Sequence, residues 1–471
     1  MKKIHLIGIG GTGMATLAAL LKRRGFEVRG SDQNLYPPMS TFLEEEAIET
    51  LQGYDAAHIT PDLDLVIVGN AVSRGNPEVE TVLDRKIRHC SMPEAIREHF
   101  LWAARSIVIA GTHGKTTTAS LVTWLLTFGR RDPSALIGGI AANLGEDGSS
   151  YRLGEGRDFV VEGDEYDSAF FDKTAKFLKD LPDIAVVGNI EFDHADIYAS
   201  LDEIRLAFRR LVNLVPARGL LLLGADSPEA AAMKAFARSP VQTFGLAPDA
   251  DWHAYDLRPS AGATTFGVRR DGTSFGTFTV PLLGAHNVRN ALAALAVGDA
   301  VGLDPTTLAD GLRQFKGVKR RLEELGTVAG VAVYDDFAHH PTAIAETLAG
   351  LRAAHPGARI RAVFEPRSAS SCRRVFQEAF ARSFSAADDV IVAAVFRTNL
   401  PEAERLSAEQ LVAELNAAGT PARHIAGVDE IVSALVRERR DGDHVVLMSN
   451  GAFGGIHGKL MDALQEAGRA Q

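Results

Sequence analysis

The chain has 471 residues, too long for one ordinary domain and long enough for about three. Apolar residues make up 46% of it, enough to furnish several cores. Lys and Arg number 50 against 60 Asp and Glu, a formal charge of −10, so the overall field repels nucleic acid and anionic membrane and leaves any phosphate ligand to local devices.

Short β-branched runs alternate with amphipathic stretches along most of the chain, the pattern of βα units around mostly parallel sheets, and the fold class is α/β. The first runs are residues 4–7, 27–30 and 65–68. The opening stretch does not read as a secretory signal, because His5 and four glycines by position 13 interrupt its apolar run. No later run approaches the ~18 apolar residues of a membrane span. Between the first two strands, Gly8-Ile9-Gly10-Gly11-Thr12-Gly13 fits Gly-x-Gly-x-x-Gly, and Asp32 follows at the offset of a ribose-binding acid. Taken alone, that loop fits a nicotinamide dinucleotide, another diphosphate, or mere close packing of strand on helix.

A second series begins at residues 106–110 and continues at 159–161, 184–187 and 220–223. From 252 to 283 the rhythm changes to alternating segments with turn signals at Ala261-Gly262 and Asp271-Gly272, which predicts a small inserted antiparallel sheet. After the basic Lys319-Arg320-Arg321, runs at 331–334, 360–364, 390–393 and 445–448 form a third series. These shifts divide the chain into 1–103, 104–320 and 321–471. Cys90 and Cys372 form no CxxC or metal-type spacing, which predicts a reducing, cytoplasmic setting.

The most informative segment is Ile107-Val108-Ile109-Ala110-Gly111-Thr112-His113-Gly114-Lys115-Thr116-Thr117. A strand, a glycine loop, Lys-Thr and a helix can cradle a nucleoside triphosphate: amides approach the phosphates, Lys115 adds a charge and the Thr116 hydroxyl can bind Mg2+. Ile109 stands where the general P-loop pattern has its first glycine. Two phosphate loops in two domains favour two phosphorylated ligands, ATP and a nucleotide-linked substrate. Two acidic clusters follow, residues 162–167 (EGDEYD) and 191–196 (EFDHAD). Half of these acids read as solvated loop residues; Glu162 and His194 stand out as candidate cation ligands.

Together the segments resemble the Mur ligases, ATP-dependent amide-forming enzymes of peptidoglycan metabolism. The specific matches are Gly111-Thr112-His113-Gly114-Lys115-Thr116-Thr117, Asn189-Ile190-Glu191-Phe192-Asp193-His194, Gly284-Ala285-His286-Asn287-Val288-Arg289-Asn290 and Asp335-Asp336-Phe337-Ala338-His339-His340-Pro341-Thr342. The resemblance implies an N-terminal Rossmann-like domain, a central P-loop ATPase-like domain carrying the small antiparallel sheet, and a C-terminal Rossmann-like domain for the incoming peptide. It implies that Gly111 to Thr117 hold ATP, that Lys115 and Thr116 meet its phosphates, and that Thr116, Glu162 and His194 bind Mg2+. Asn287 and Asn290 would contact adenine, although both also fit helix-start caps. Arg321 would approach the γ-phosphate, Asp336 the ribose, and His339 the transferred group. The N-terminal Gly10, Gly11, Thr12, Gly13, Ser31 and Asp32 resemble the subgroup that binds UDP-N-acetylmuramate, which weakens the nicotinamide alternative.

Two substrate classes compete within the family: L-alanine, and the recycled tripeptide L-alanyl-γ-D-glutamyl-meso-diaminopimelate. Residues 162–173 (EGDEYDSAFFDK), Phe364-Glu365-Pro366-Arg367-Ser368 and Ser449-Asn450-Gly451-Ala452-Phe453-Gly454-Gly455-Ile456-His457 resemble the tripeptide-adding subgroup. Arg367 is then a bidentate partner for a peptide carboxylate, or else an ordinary surface arginine. The expected protein uses ATP and Mg2+, acts on small molecules without nucleic acid or membrane, and is a monomer or weak dimer.

Overall fold

Runs of Val, Ile and Leu with little alternation form strands covered on both faces, and these organise the computed structural model, which describes residues 2–36, 39–397 and 399–469. The first sheet is parallel, in the order Glu49–Gln52, Glu27–Asp32, Lys3–Ile7, Leu65–Val68, His89–Ser91. The chain leaves Lys3–Ile7 at the point where strand order reverses, so the first glycine loop opens where such sheets place ligands. The helix that follows, Thr12–Arg23, is buried without a break from Met14 to Leu21. It can be apolar all round because a second layer covers it: Thr16 Oγ1 meets Ser150 Oγ at 3.0 Å and Phe100 packs on Phe159 at 5.9 Å.

The second sheet has ten strands. Its parallel centre runs Val241–Gly245, Leu220–Gly224, Ile184–Val187, Arg105–Ala110, Asp158–Gly163, Ser134–Ala141, with Ser149–Arg152 antiparallel at one edge. Trp252–Ser260, Ala263–Arg270 and Thr273–Val280 form the expected antiparallel ribbon. Both central residues of its Asp271-Gly272 turn have positive φ, the geometry that suits a two-residue hairpin. The ribbon is not a separate sheet, however. Phe244 pairs with Trp252 and Gly245 with His253 in parallel, because buried Trp252 and Phe278 share one core with Phe244.

The third sheet runs Glu323–Val328, Val331–Asp336, Asp443–Met448, Arg359–Phe364, Asp389–Val392, Ala422–His424, parallel except for the first pair. The linker before it pairs with the central sheet, Ala142 donating to the Gly317 carbonyl and Lys319 to that of Ile140. Arg320 and Leu322 beyond it have positive φ, a sharp bend that turns consecutive arginines toward different domains.

Candidate active site

The phosphate loop leaves the buried strand Arg105–Ala110 and enters the helix Lys115–Phe128. Gly111 and Gly114 both have positive φ, and a side chain at Gly114 would collide with Asn290, so these glycines answer a conformational and a steric demand. Asn189 pins the loop from the next strand end. Its Oδ1 accepts the His113 amide at 2.8 Å and its backbone carbonyl accepts the Thr112 amide at 3.0 Å.

Lys115 bends back into the loop and donates to the Gly111 carbonyl at 2.7 Å and to Glu165 at 2.9 and 3.2 Å. His194 Nε2 meets the other side of Glu165 at 3.1 Å. Burial alone would raise the Glu165 pKa, but Lys115 and His194 outweigh it and hold the carboxyl below its ordinary range. The same pairing outweighs burial at Lys115 and at His194, and both cations are held more firmly than usual.

Thr116 Oγ1 instead donates to Glu162 at 3.1 Å, and Gly138 N donates to the other Glu162 oxygen at 2.5 Å. Burial and the neighbouring Asp164 push the Glu162 carboxyl up to about 7, against the pull of that amide, Lys115 and Arg321. A hydroxyl beside crowded carboxylates is a hard oxygen donor set, which fits Mg2+. The expected metal ligands are thus divided in this structure: Thr116 and Glu162 lie together, whereas His194 rests on Glu165. Glu165 is the residue that sequence reasoning passed over, although it stands in the same acidic run.

The third domain closes the other wall of a cavity of about 760 Å³. Arg321 lies over the Phe337 ring at 4.7 Å and donates to Thr116 Oγ1 at 3.2 Å, directly beside the phosphate loop. Arg320 points the other way, donating to the carbonyls of Ser449 and Gly451 at 2.7 and 2.8 Å. Asp336 accepts the Leu322 and Ala338 amides at 2.6 and 2.7 Å, so it braces the bend while lining the cavity. His339 lines it too, and burial lowers its pKa despite Asp193.

Neither Asn287 nor Asn290 caps its helix. Gly284 is the residue before the first turn; Asn287 Nδ2 donates back to the Leu283 carbonyl at 2.8 Å, and Asn290 bridges Asn287 and Thr118 at 3.1 Å each. Both line the cavity.

With this geometry in view, the comparisons with known proteins become specific. Residues 109–298 match the Mur ligase middle domain, 320–451 the glutamate ligase domain of Mur ligases, and 3–101 the Mur ligase family catalytic domain. The chain belongs to the Mur ligase family. It is 42% identical over 469 residues, 99% of both chains, to the UDP-N-acetylmuramate–L-alanyl-γ-D-glutamyl-meso-2,6-diaminoheptandioate ligase of Escherichia coli K12. The UDP-N-acetylmuramate–L-alanine ligase of Agrobacterium fabrum is 36% identical over 95% of this chain and 94% of its own. Among solved structures, a murein peptide ligase from Psychrobacter arcticus superposes with a TM-score of 0.72 at 34% identity, covering 99% of each chain.

In this Mur ligase the N-terminal loop is built differently from the central one. Gly10 donates its amide to Asp32 Oδ2 at 2.8 Å, and Gly11, Thr12 and Gly13 sit at the start of the helix without a side-chain cap. Ser31, expected at the UDP-sugar, is fully buried beneath the loop. Its Oγ donates to Glu78 at 2.5 Å and its carbonyl accepts the Gly8 and Ile9 amides, so it supports the loop from below. His5 and His58 meet the same Glu78 at 3.2 and 2.7 Å. In the third domain Arg367 is not a free surface arginine. It stacks on Phe396 at 3.7 Å, lies against Gly451 and reaches Glu365 at 3.5 Å, where Ser449 also donates. No described helix is long and apolar enough to cross a membrane.

Proposed function

We propose that this Mur ligase joins L-alanyl-γ-D-glutamyl-meso-diaminopimelate to UDP-N-acetylmuramate, with cleavage of ATP to ADP and phosphate, as a cytoplasmic step of murein recycling. The observation that carries the substrate assignment is the 42% identity, over 99% of both chains, to a ligase named for that tripeptide. An L-alanine ligase is more distant at 36%.

A free carboxylate is a poor electrophile, so the lactyl carboxylate must first take the γ-phosphoryl group as an acyl phosphate. The tripeptide amine then attacks the acyl carbon and phosphate leaves. Such a reaction needs positioning and charge neutralisation more than a nucleophilic side chain. Lys115 and Arg321 supply fixed positive charge from two domains on either side of the phosphates. Thr116, Glu162 and, after it leaves Glu165, His194 would hold Mg2+, which supplies further neutralisation of phosphate oxygens. Asn287 and Asn290 bound the adenine end, Asp336 the ribose, and His339 sits beside the transferred group. Gly10 to Gly13 and Asp32 take the UDP-sugar. Arg367, flattened between Phe396 and Gly451, has its planar fork preorganised for a peptide carboxylate. Lys115 must exchange its bond to Glu165 for phosphate as ATP enters.

The test is ADP release with Mg2+-ATP and UDP-N-acetylmuramate plus either tripeptide or L-alanine, with the product identified by mass. Turnover with tripeptide alone is expected. Turnover with L-alanine alone would overturn the substrate assignment and leave Arg367 without its role.

A further inference from the structure

On one side of the phosphate cavity lies a group of side-chain donors to which the ligase chemistry assigns no step. His113 of the phosphate loop, Glu191 of the next strand end and His340 at the head of the third-domain helix Pro341–Ala354 bring one ligand atom each within 4.8 Å of one another. Glu191 Oε2 stands 3.4 Å from His113 Nε2 and 3.7 Å from His340 Nδ1. A tetrahedral cation with bonds of about 2.0 to 2.1 Å holds its ligand atoms about 3.3 Å apart; the two imidazole–carboxylate spacings lie near that value, and the two imidazole nitrogens, within 4.8 Å of each other, would close up on binding.

The tautomer of His340 is fixed by its surroundings. Its Nε2 lies 3.2 Å from the Phe192 carbonyl, which can only accept, so Nε2 carries the proton and Nδ1 carries the lone pair. That lone pair accepts a long 3.3 Å bond from the Thr342 amide and also faces the Glu191 carboxylate. Burial and His113 both hold the His340 imidazole below its ordinary range. His113 and the Thr342 hydroxyl, which donates to it at 2.6 Å, outweigh burial and hold the Glu191 carboxyl below its ordinary range. A cation bound between Nδ1 and Oε2 would take the place of these two Thr342 bonds. The Phe192 carbonyl orients the imidazole from behind, as second-layer partners do at metal sites.

We propose that His113, Glu191 and His340 form a binding site for a zinc-class divalent cation, which clamps the phosphate loop to the third domain. Two imidazoles and one carboxylate suit Zn2+ or Co2+ and do not suit Mg2+. Occupancy ties His113 to the third domain and so inhibits nucleotide entry. This last consequence rests on the ligase reading; the binding itself does not.

The test uses the full chain, free of nucleotide, titrated with Co2+. One equivalent should bind with the intense visible absorption of four-coordinate cobalt, Zn2+ should displace it and Mg2+ should not. His340→Gln and Glu191→Gln should each weaken binding more than tenfold, since loss of a ligand exceeds the roughly 10–100-fold cost of losing an orienting partner. Zn2+ should raise the melting temperature of the wild type and not of either variant. If a variant lacks a cooperative melt, His113→Gln replaces it with the same expectation. An absent band, an equal band in the variants, or a band removed by His194→Gln instead would overturn the proposal. None of these readouts involves ATP or peptide, so their failure and failure of the ligase assay are separate results.

Discussion

Residues 8–13 and 111–117 both leave the end of an inner parallel strand and both lead into a buried helix, yet different side chains converge on them. Around the central loop gather Lys115, Arg321 from another domain, and the acids Glu162, Asp164 and Glu165. Among the described residues, no Lys or Arg side chain hydrogen-bonds to the N-terminal loop. Asp32 occupies the Gly10 amide, and Glu78 with two histidines lies buried underneath. The same backbone device therefore serves two purposes. On the proposed reading, one loop handles charge that moves during reaction and the other holds a ligand that stays intact.

The largest effect expected from this contrast is in the central loop. Lys115→Ala should lower kcat by about a thousandfold while leaving the KM for UDP-N-acetylmuramate nearly unchanged, measured by steady-state ADP release. The fold should suffer as well. Glu165 is almost fully buried and would keep only His194 as an ionic partner, so the melting temperature should fall by a few degrees. Next comes Glu78→Gln, which removes the anion between His5 and His58. It should cost about 2 to 3 kcal/mol in denaturant unfolding and spare kcat at temperatures where the variant is folded. Asp32→Ala should act on binding, raising the KM for the UDP-sugar about tenfold (~1.4 kcal/mol) with kcat retained. An equal loss of kcat would mean that the N-terminal loop also takes part in the chemistry.

The last effect is a pH dependence at Glu162. Its pKa of about 7 in the folded protein lies above the ~4.3 of an unfolded glutamate, so the folded state holds the proton more tightly. Stability is greatest below the unfolded value and declines as pH rises from about 4 to about 7 in the absence of cation. Mg2+ needs the carboxylate, so its affinity should climb over the same interval by less than tenfold per pH unit and level off above it. Calorimetry in Glu162→Gln should find the slope removed.

The inner strands were legible in the sequence because burial on both faces demands continuous apolar runs. The strands toward the sheet margins were not. Ser134–Ala141 carries a Gly-Gly pair, Glu323–Val328 opens with two acids, and Ala422–His424 is three residues long. The phosphate loop was legible because strand, glycines, lysine and helix are contiguous. Which acid faces which cation was not, since Glu162 lies within the strand Asp158–Gly163 and Glu165 lies beyond its end, a difference of direction that composition does not carry. The burial of Ser31 depends on Glu78, 47 residues away. The Thr342 to Glu191 bond spans 151 residues and two domains, beyond any local pattern.

Equilibrium binding of ATP and of UDP-N-acetylmuramate to the wild type, Lys115→Ala and Asp32→Ala tests the central claim most directly. The account predicts that Lys115→Ala loses ATP and keeps the UDP-sugar, while Asp32→Ala weakens the UDP-sugar and keeps ATP. Loss of both ligands in one folded variant, or ATP binding undiminished in Lys115→Ala, would contradict the division of labour between the two loops.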